Sequence, residues 1–519
     1  MNNANMIISL HETAERLHEK TAVIEYRSAI FKKSGYWKKS YGQLFRDIAA
    51  TGDNLKKAGF TKGDRVIVFV PMSYELYVVC LSLAYIGAVS VFIDAWADKD
   101  RLSKACLVVN PKGFIGSLKA QILRINPEIR KIPVKKNISS LVSINSAGSY
   151  EFNPAIVEPD DDALITLTTG TTGLPKGARR THGSLSAQFT VLAKHLKYHE
   201  DCVDLTALPI FVFLNIASGM TSVLPIFNPA KPSSFDPAVI IRQVKELNIT
   251  TAIGSPVFFE KIADYLSERG ETLTFKSIVT GGAPVFKRLA KKMVTNFSGT
   301  EIEIVYGCTE AEPISGIPVN DYIDSDSAKG VCVGRKVSEI DVKIIKPVYG
   351  EASVDKDGSI KGLLAGKNQP GEIIVSGSHV LKEYLGDSSL FRKNKINENG
   401  KIWHRTGDAG IIDDNGYIYI LGRIGKGLTS RGESCYPIPY EQRLLDIPGI
   451  KFASVIEKNG KVYAVVEPDN RSGNYSDIKR KVKDELNDLN PDEILVLNIP
   501  RDPRHNSKVN FDNLMKLLP

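Results

Sequence analysis
An α/β fold of doubly wound sheets with a β subdomain, followed by a small α+β domain, is predicted by three observations. Strand-like and helix-like segments alternate from Asp64 to Gly307. From about Ser315 the texture changes to short β-like runs separated by Gly, Asp and Asn turns. After Arg423 the stretch IGKGLTSRGES is poor in apolar residues and reads as a linker. With 519 residues, the chain exceeds one ordinary core. The expected division is a large domain over 1–423 and a small one over 424–519.

Taken in order, DRVIVFVP from Asp64 to Pro71 reads as a buried strand and MSYELYVVCLSLAYIG as the helix after it. AVSVFIDAW is strand-like, DKDRLSKACLVVN has helical spacing, and KGFIG returns to a strand. This alternation implies βαβ units and a parallel sheet covered on both faces. Ala163 to Leu167 reads as a further buried strand, and helices are expected from about His182 and over Asp236 to Asn248. ITTAIGSP, SIVTGG and EIEIVYG read as strands, with helices over Pro256 to Arg269 and Pro284 to Phe297 between them. Gly281-Gly282 and Gly307 fall where strands should stop, which is where doubly wound sheets bind ligands. EIDVKIIK, GEIIVSG and GYIYILGR supply the β subdomain. KFASVIE, KVYAVVEP and a charged helix from Asp477 to Leu489 supply the C-terminal piece.

Composition narrows the class. Hydrophobic content of 43% and charged content of 24% describe a soluble globular protein, for which the cytoplasm is the default location. No run of about 18 apolar residues predicts a transmembrane segment, and the N-terminal twenty residues lack the order of a signal peptide. Six cysteines are scattered singly, which argues against disulfides and structural zinc. A net charge of +8 comes from 67 basic and 59 acidic residues, the basic ones spread along the chain. Lys32, Lys33, Lys38 and Lys39 read as a solvated hairpin, and no aromatic-interleaved basic tract points to nucleic acid. The eight His show no metal-ligand spacing, and no Ser/His/Asp nucleophile pattern is present.

Chemistry enters at Thr166 to Gly177, TLTTGTTGLPKG. Gly170 and Gly173 let backbone N–H groups turn toward a ligand, Thr168, Thr169, Thr171 and Thr172 add hydroxyls, and Lys176 adds a point charge. The composition suits a polyphosphate cradle; the plainer alternative is a Gly/Thr-rich surface turn. A Walker A loop is excluded, because Lys176 follows Pro175 and precedes Gly177.

The same string resembles the phosphate loop of the adenylate-forming superfamily, which includes acyl-CoA synthetases, adenylation domains and luciferases. The resemblance extends to Tyr306-Gly307-Cys308-Thr309-Glu310, similar to the superfamily's YGxTE motif. It implies that the Tyr306 ring stacks on adenine, Thr309 meets phosphate and Glu310 helps hold Mg²⁺. Gly281-Gly282-Ala283-Pro284 resembles the adenine-side loop, though alone it is also an ordinary turn before a helix. In Arg405-Thr406-Gly407-Asp408 the resemblance implies that Asp408 accepts the ribose hydroxyls, and in Gly422-Arg423 that Arg423 contacts the ribose and phosphate side. Two residues on, where the family has Asp or Lys as the pivot of a mobile small domain, stands Gly425, followed by Lys426. In RHNSKV, Lys508 occupies the place of the lysine that bridges carboxylate and α-phosphate, with Ser507 where the family has Gly.

The cofactors implied are ATP and Mg²⁺, the substrate a small carboxylic acid, and the catalytic residues Lys508, Lys176, Thr309 and Glu310. LPIFVFLNIASGM, from Leu208 to Met220, would make an apolar wall suited to an alkyl chain, or else is plain core. RHNSK, VFIDAW, GFIGSLKAQ, GMTSV and YPIPYE resemble the β-lactone synthetases of bacterial long-chain olefin biosynthesis. Those enzymes close an activated 3-hydroxy acid on itself, without CoA. Ala95-Trp96 departs from the Pro-Gly expected there. A conventional ligase using CoA, transfer to an acyl-carrier or pathway partner, and a catalytically silent lipid or nucleotide sensor stand as alternatives. Lys508, Glu310 and Asp408, whose loss would favour the sensor, are all present.

Overall fold
The computed structural model describes residues 3–28, 34–93, 99–169, 175–227, 234–386, 388–430, 433–469, 475–501 and 509–519. The chain divides into two compact units, one of residues 1–253 and 378–391, the other of 254–377 and 392–519.

In the first unit the strands run β1 (Thr21–Arg27), β2 (Gly35–Ser40), β3 (Arg65–Phe69), β4 (Val89–Phe92), β5 (Gly113–Gly116), β6 (Val134–Asn137), β7 (Asp162–Thr169), β8 (Pro175–Thr181), β9 (Val203–Thr206), β10 (Thr221–Val223) and β11 (Thr251–Gly254). One sheet has the order β8-β7-β4-β3-β5-β6, parallel from β7 to β6. A second has the order β11-β9-β10-β1-β2, with only β2 antiparallel. The expected βαβ alternation is therefore present. Helix Tyr74–Tyr85 shows why: apart from Glu75 in its first turn it is buried along its whole length, and Ser73 caps its start by accepting from Leu76 N. Each aliphatic side chain it buries contributes about 1.5–3 kcal/mol.

Two features depart from the expected pattern. Strand β8 turns back antiparallel on β7, placing Lys176 opposite Thr168, where a helix would continue a parallel unit. Of the lysines expected in a solvated hairpin, 32 and 33 lie outside the described residues, Lys38 is exposed, and Lys39 is buried. Lys39 ion-pairs with Asp47 at 3.5 Å, because helix Tyr41–Lys57 lays that carboxylate beneath the hairpin.

The second unit contains β12 (Ser277–Gly281), β13 (Glu301–Cys308), β14 (Ala311–Pro318), β15 (Val331–Lys336), β16 (Ile340–Ile345) and β17 (Gly371–Gly377). The next strand in sequence, β18 (Tyr384–Leu385), belongs to the first unit and pairs antiparallel with β8. Then follow β19 (Lys395–Glu398), β20 (Lys401–Ile412) and β21 (Tyr417–Arg423). Parallel β12 and β13 are extended by antiparallel strands in the order β12-β13-β14-β15-β21-β20-β17-β16. The β-rich stretch thus grows from the edge of β13 as one continuous sheet. This juxtaposes segments about a hundred residues apart in sequence.

Beyond Arg423, the expected linker includes a short hairpin of β22 (Leu428–Ser430) and β23 (Glu433–Cys435). The C-terminal piece has its own sheet of β24 (Ile450–Lys458), β25 (Lys461–Pro468) and β26 (Glu493–Val496). Helices Ile438–Asp446 and Tyr475–Glu485 close a core around Leu444, Val455, Ala464 and Val482. No helix among the described residues is long and apolar enough to cross a membrane.

Candidate active site
In the second unit, the ends of two strands converge on one carboxylate carried by a third. Tyr306, near the end of β13, donates its hydroxyl to Asp408 Oδ2 at 2.7 Å. Arg423, the last residue of β21, stands opposite Asp408 in the β20 register and donates from Nη1 to Asp408 Oδ1 at 2.7 Å. Each carboxylate oxygen keeps a further lone pair, so Asp408 can still accept from a ligand. Burial, and then the neighbouring Asp408 charge, pushes the Tyr306 phenol well above its ordinary range, so it stays a donor.

The turn before Asp408 is held from below. Arg405 forms a buried ion pair with Glu372 of β17, through Nε at 2.9 Å and Nη2 at 2.6 Å to the same oxygen. Glu372 Oε1 accepts from Gly407 N at 3.2 Å, and Thr406 Oγ1 accepts from Asp408 N at 3.0 Å. Gly407 has φ +71°, a left-handed conformation that glycine adopts without strain. Arg405 and Glu372 therefore fix the backbone that presents Asp408.

Neighbouring strands supply two more loops. Gly281 ends β12 alongside Val305, and a Cβ there would lie 2.3 Å from Val305 O. Gly282 follows with φ +79°, opening the turn that Ala283 and Pro284 continue. Thr309 and Glu310 form the turn between β13 and β14. Cys308, Glu310 and His404 bring ligand atoms within 4.8 Å of one another, a juxtaposition absent from His spacing in sequence.

The donor set discriminates between metals. His404 Nδ1 lies 3.3 Å from Asn394 O, which can only accept, so Nδ1 carries the proton and Nε2 is the acceptor. Cys308 Sγ is 3.7 Å from that Nε2, and burial followed by the charges of Glu310 and Asp408 pushes its thiol strongly up. A protonated thiol is no ligand for Mg²⁺, whereas the Glu310 carboxylate offers the hard oxygen this ion takes. The residues fit Mg²⁺ through Glu310. Beside them sits Lys395, buried at 2% exposure; desolvation draws it down to about 8 despite the opposing pull of Glu310 and Cys308.

In the first unit, Lys176 on β8 holds its ammonium 6.0 Å from the ring centre of Tyr384 on β18. Thr168 and Thr169 end β7, and their side chains, like Gly170, Thr171, Thr172 and Gly173, lie outside the described residues. So do Lys508 and the Ala95-Trp96 pair. The residues flanking Lys508 are tied together: Arg501 and Val509 form an antiparallel bridge, and Arg501 donates to Glu467 at 2.8 Å. Phe211, Val212, Phe213, Leu214 and Ile216 of the expected apolar wall are all buried, with Phe213 edge-on to Tyr77.

Sequence reasoning named Tyr306, Asp408 and Arg423 but missed Glu372, Lys395 and His404. Glu372 in GEIIVSG, Lys395 among the charges of RKNKINENG and His404 in KIWHRTGD carry no local signal, since their partners arrive from segments distant in sequence.

A family model described as AMP-binding enzyme matches residues 10–385. An olefin beta-lactone synthetase of Xanthomonas campestris pv. campestris is 28% identical over 408 residues, 74% of this chain and 71% of that protein. A 4-coumarate-CoA ligase of Narcissus pseudonarcissus is 25% identical over 437 residues, 80% and 76% of the two chains. The structure of an O-succinylbenzoate coenzyme A synthetase from Bacillus subtilis, in complex with ATP and magnesium ion, superposes with a TM-score of 0.78 at 21% identity over 98% of this chain and 99% of that one.

Proposed function
From the premise that this chain belongs to the AMP-binding enzyme family, we propose that it activates a carboxylic acid with ATP. Acyl-AMP forms with release of pyrophosphate, and the acyl group then passes to an acceptor. The observation that carries this is the Tyr306–Asp408–Arg423 arrangement at the end of β13. A carboxylate flanked by two donors, beside Gly-bordered loops, suits a ribose and its base.

In this account Asp408 accepts the ribose hydroxyls, Arg423 steadies it and faces the phosphate side, and Tyr306 with Gly282, Ala283 and Pro284 borders the adenine. Lys176 and the hydroxyls of Thr168, Thr169, Thr171 and Thr172 hold the phosphates with the N–H groups of Gly170 and Gly173. Thr309 adds a hydroxyl and Glu310 holds Mg²⁺, which when bound supplies charge neutralisation to the phosphates. Lys508 neutralises charge as the carboxylate attacks the α-phosphorus. The functional division falls at 423/424, with the small domain turning about Gly425 to Lys426; a Cβ at Gly425 would meet nothing within 4 Å.

The acid we favour is a long-chain 3-hydroxy acid whose own hydroxyl displaces AMP to give a β-lactone. An internal nucleophile gains high effective molarity and needs no CoA. Support comes from RHNSK and the accompanying strings, and from similarity to a protein named for that activity. Similarity to a CoA ligase favours thioester formation as the second reading. Both readings set the protein in the cytoplasm, with a carrier or pathway enzyme as a candidate partner. Acid-dependent exchange of labelled pyrophosphate into ATP tests the shared first step. Exchange with a long-chain 3-hydroxy acid is expected; none with any carboxylic acid would favour a silent sensor.

A further inference from the structure
At one edge of the first unit, helix Lys99–Val109, the 3₁₀ helix Lys119–Ile125 and helix Pro127–Lys131 accompany strands β5 and β6. Their inner residues Leu102, Ala105, Cys106, Val109, Ala120 and Ile129 join one buried cluster with β3, β4 and β7. Their outer residues are unlike the rest of the surface. Leu107, Leu118, Ile122 and Ile125 are 68%, 78%, 68% and 76% exposed. Four of the ten exposed large hydrophobic residues described thus fall within nineteen positions. Ile122 and Ile125, three apart on a 3₁₀ helix, share a face. Asn126 donates to Ser103 at 3.1 Å, tying that helix to the one bearing Leu107 one turn on.

Charge concentrates in the same place. From Asp100 to Asn137 there are nine Lys and Arg against two Asp and Glu, a net of +7 in a chain whose total is +8. The two acids are already matched within the segment, Asp100 by Lys104 and Glu128 by Lys131, each at 2.7 Å. Basic residues occur along the whole chain, but their excess over acidic ones falls mainly in the segment that carries these exposed aliphatic side chains.

We propose that this face docks on an anionic lipid bilayer, with Leu118, Ile122 and Ile125 entering the headgroup boundary and the basic residues meeting lipid phosphates. Protruding aliphatic side chains ringed by Lys and Arg are what such an interface binds, by apolar burial plus electrostatic attraction. An acidic protein partner fits less well. Protein interfaces favour aromatic residues and Met at their centre, and these four are all aliphatic. The surface lies apart in sequence from every residue assigned to nucleotide chemistry, and the proposal is independent of which acid is activated.

The test is co-sedimentation of the full chain with vesicles of phosphatidylcholine alone and of phosphatidylcholine with phosphatidylglycerol, at about 0.1 M and about 0.5 M salt. Wild type should bind the anionic vesicles at least about tenfold more tightly than the neutral ones and lose most of that advantage at high salt. I122Q/I125Q and K119E/R130E should each weaken anionic-vesicle binding about tenfold, with an unchanged thermal unfolding midpoint showing an intact fold. Absence of binding to the anionic vesicles, equal binding to both kinds, or variants that bind as wild type would overturn the proposal. So would capture of an acidic carrier protein by this face with no vesicle binding.

Discussion
Tyr306 and Asp408 lie 102 positions apart and meet at 2.7 Å, phenol to carboxylate. The contact exists because β13 and β20 belong to one sheet, separated by β14, β15 and β21. If Asp408 holds a ribose, the phenol orients its carboxylate. Y306F should therefore raise the KM for ATP about fivefold, the worth of one such hydrogen bond, with kcat little changed. D408A, which removes the acceptor itself, should weaken ATP about a hundredfold. Initial-rate kinetics at saturating acid check both.

Removing one partner of the buried Arg405–Glu372 pair should cost about 3–5 kcal/mol of stability, since the other charge is left buried without its partner. E372Q also weakens the acceptor for Gly407 N, so it should raise the KM for ATP as well. Denaturant unfolding of R405M, E372Q and R405M/E372M checks this, the double variant recovering much of the loss.

His182 is fully buried and accepts at Nδ1 from Met6 N at 3.2 Å. Desolvation draws its imidazole from 6.5 down to about 4, against the opposing pull of Asp161. The unfolded chain then takes up a proton below about 6.5 that the folded site refuses until about 4. Stability should thus be unaffected by this group above 6.5 and fall by about 3 kcal/mol between 6.5 and 4. H182Q should flatten that part of the stability-versus-pH curve.

Lys508, if it bridges carboxylate and α-phosphate, matters only to the first step. K508A should slow adenylate formation by at least about a hundredfold while leaving turnover of a supplied acyl-adenylate largely intact. Single-turnover assays of the two steps check this; equal damage to both would contradict the assigned role.

Much of the fold was legible because its strands are buried on both faces and read as apolar runs, as DRVIVFVP does for β3. The Tyr306, Asp408 and Arg423 positions were legible because Tyr306-Gly307-Cys308-Thr309-Glu310, Arg405-Thr406-Gly407-Asp408 and Gly422-Arg423 resemble motifs of the adenylate-forming superfamily. What stayed hidden was non-local. Lys39 looks like its solvated neighbour Lys38 until a helix brings Asp47 to it. Lys395 looks like a turn residue until β19 pairs with β20 and buries it. Strand β8 was missed because PKGARRT lacks the apolar alternation of a strand, and its pairing with β7 and β18 places it in the sheet.

The most direct test of the proposed chemistry is the mass of the product formed from a long-chain 2-alkyl-3-hydroxy acid and MgATP, with and without CoA. A CoA-independent product lighter than the acid by one water is expected, with AMP and pyrophosphate released. A thioester appearing only when CoA is added would contradict lactone formation and leave a conventional acyl-CoA ligase, and no AMP with or without CoA would contradict acid activation itself.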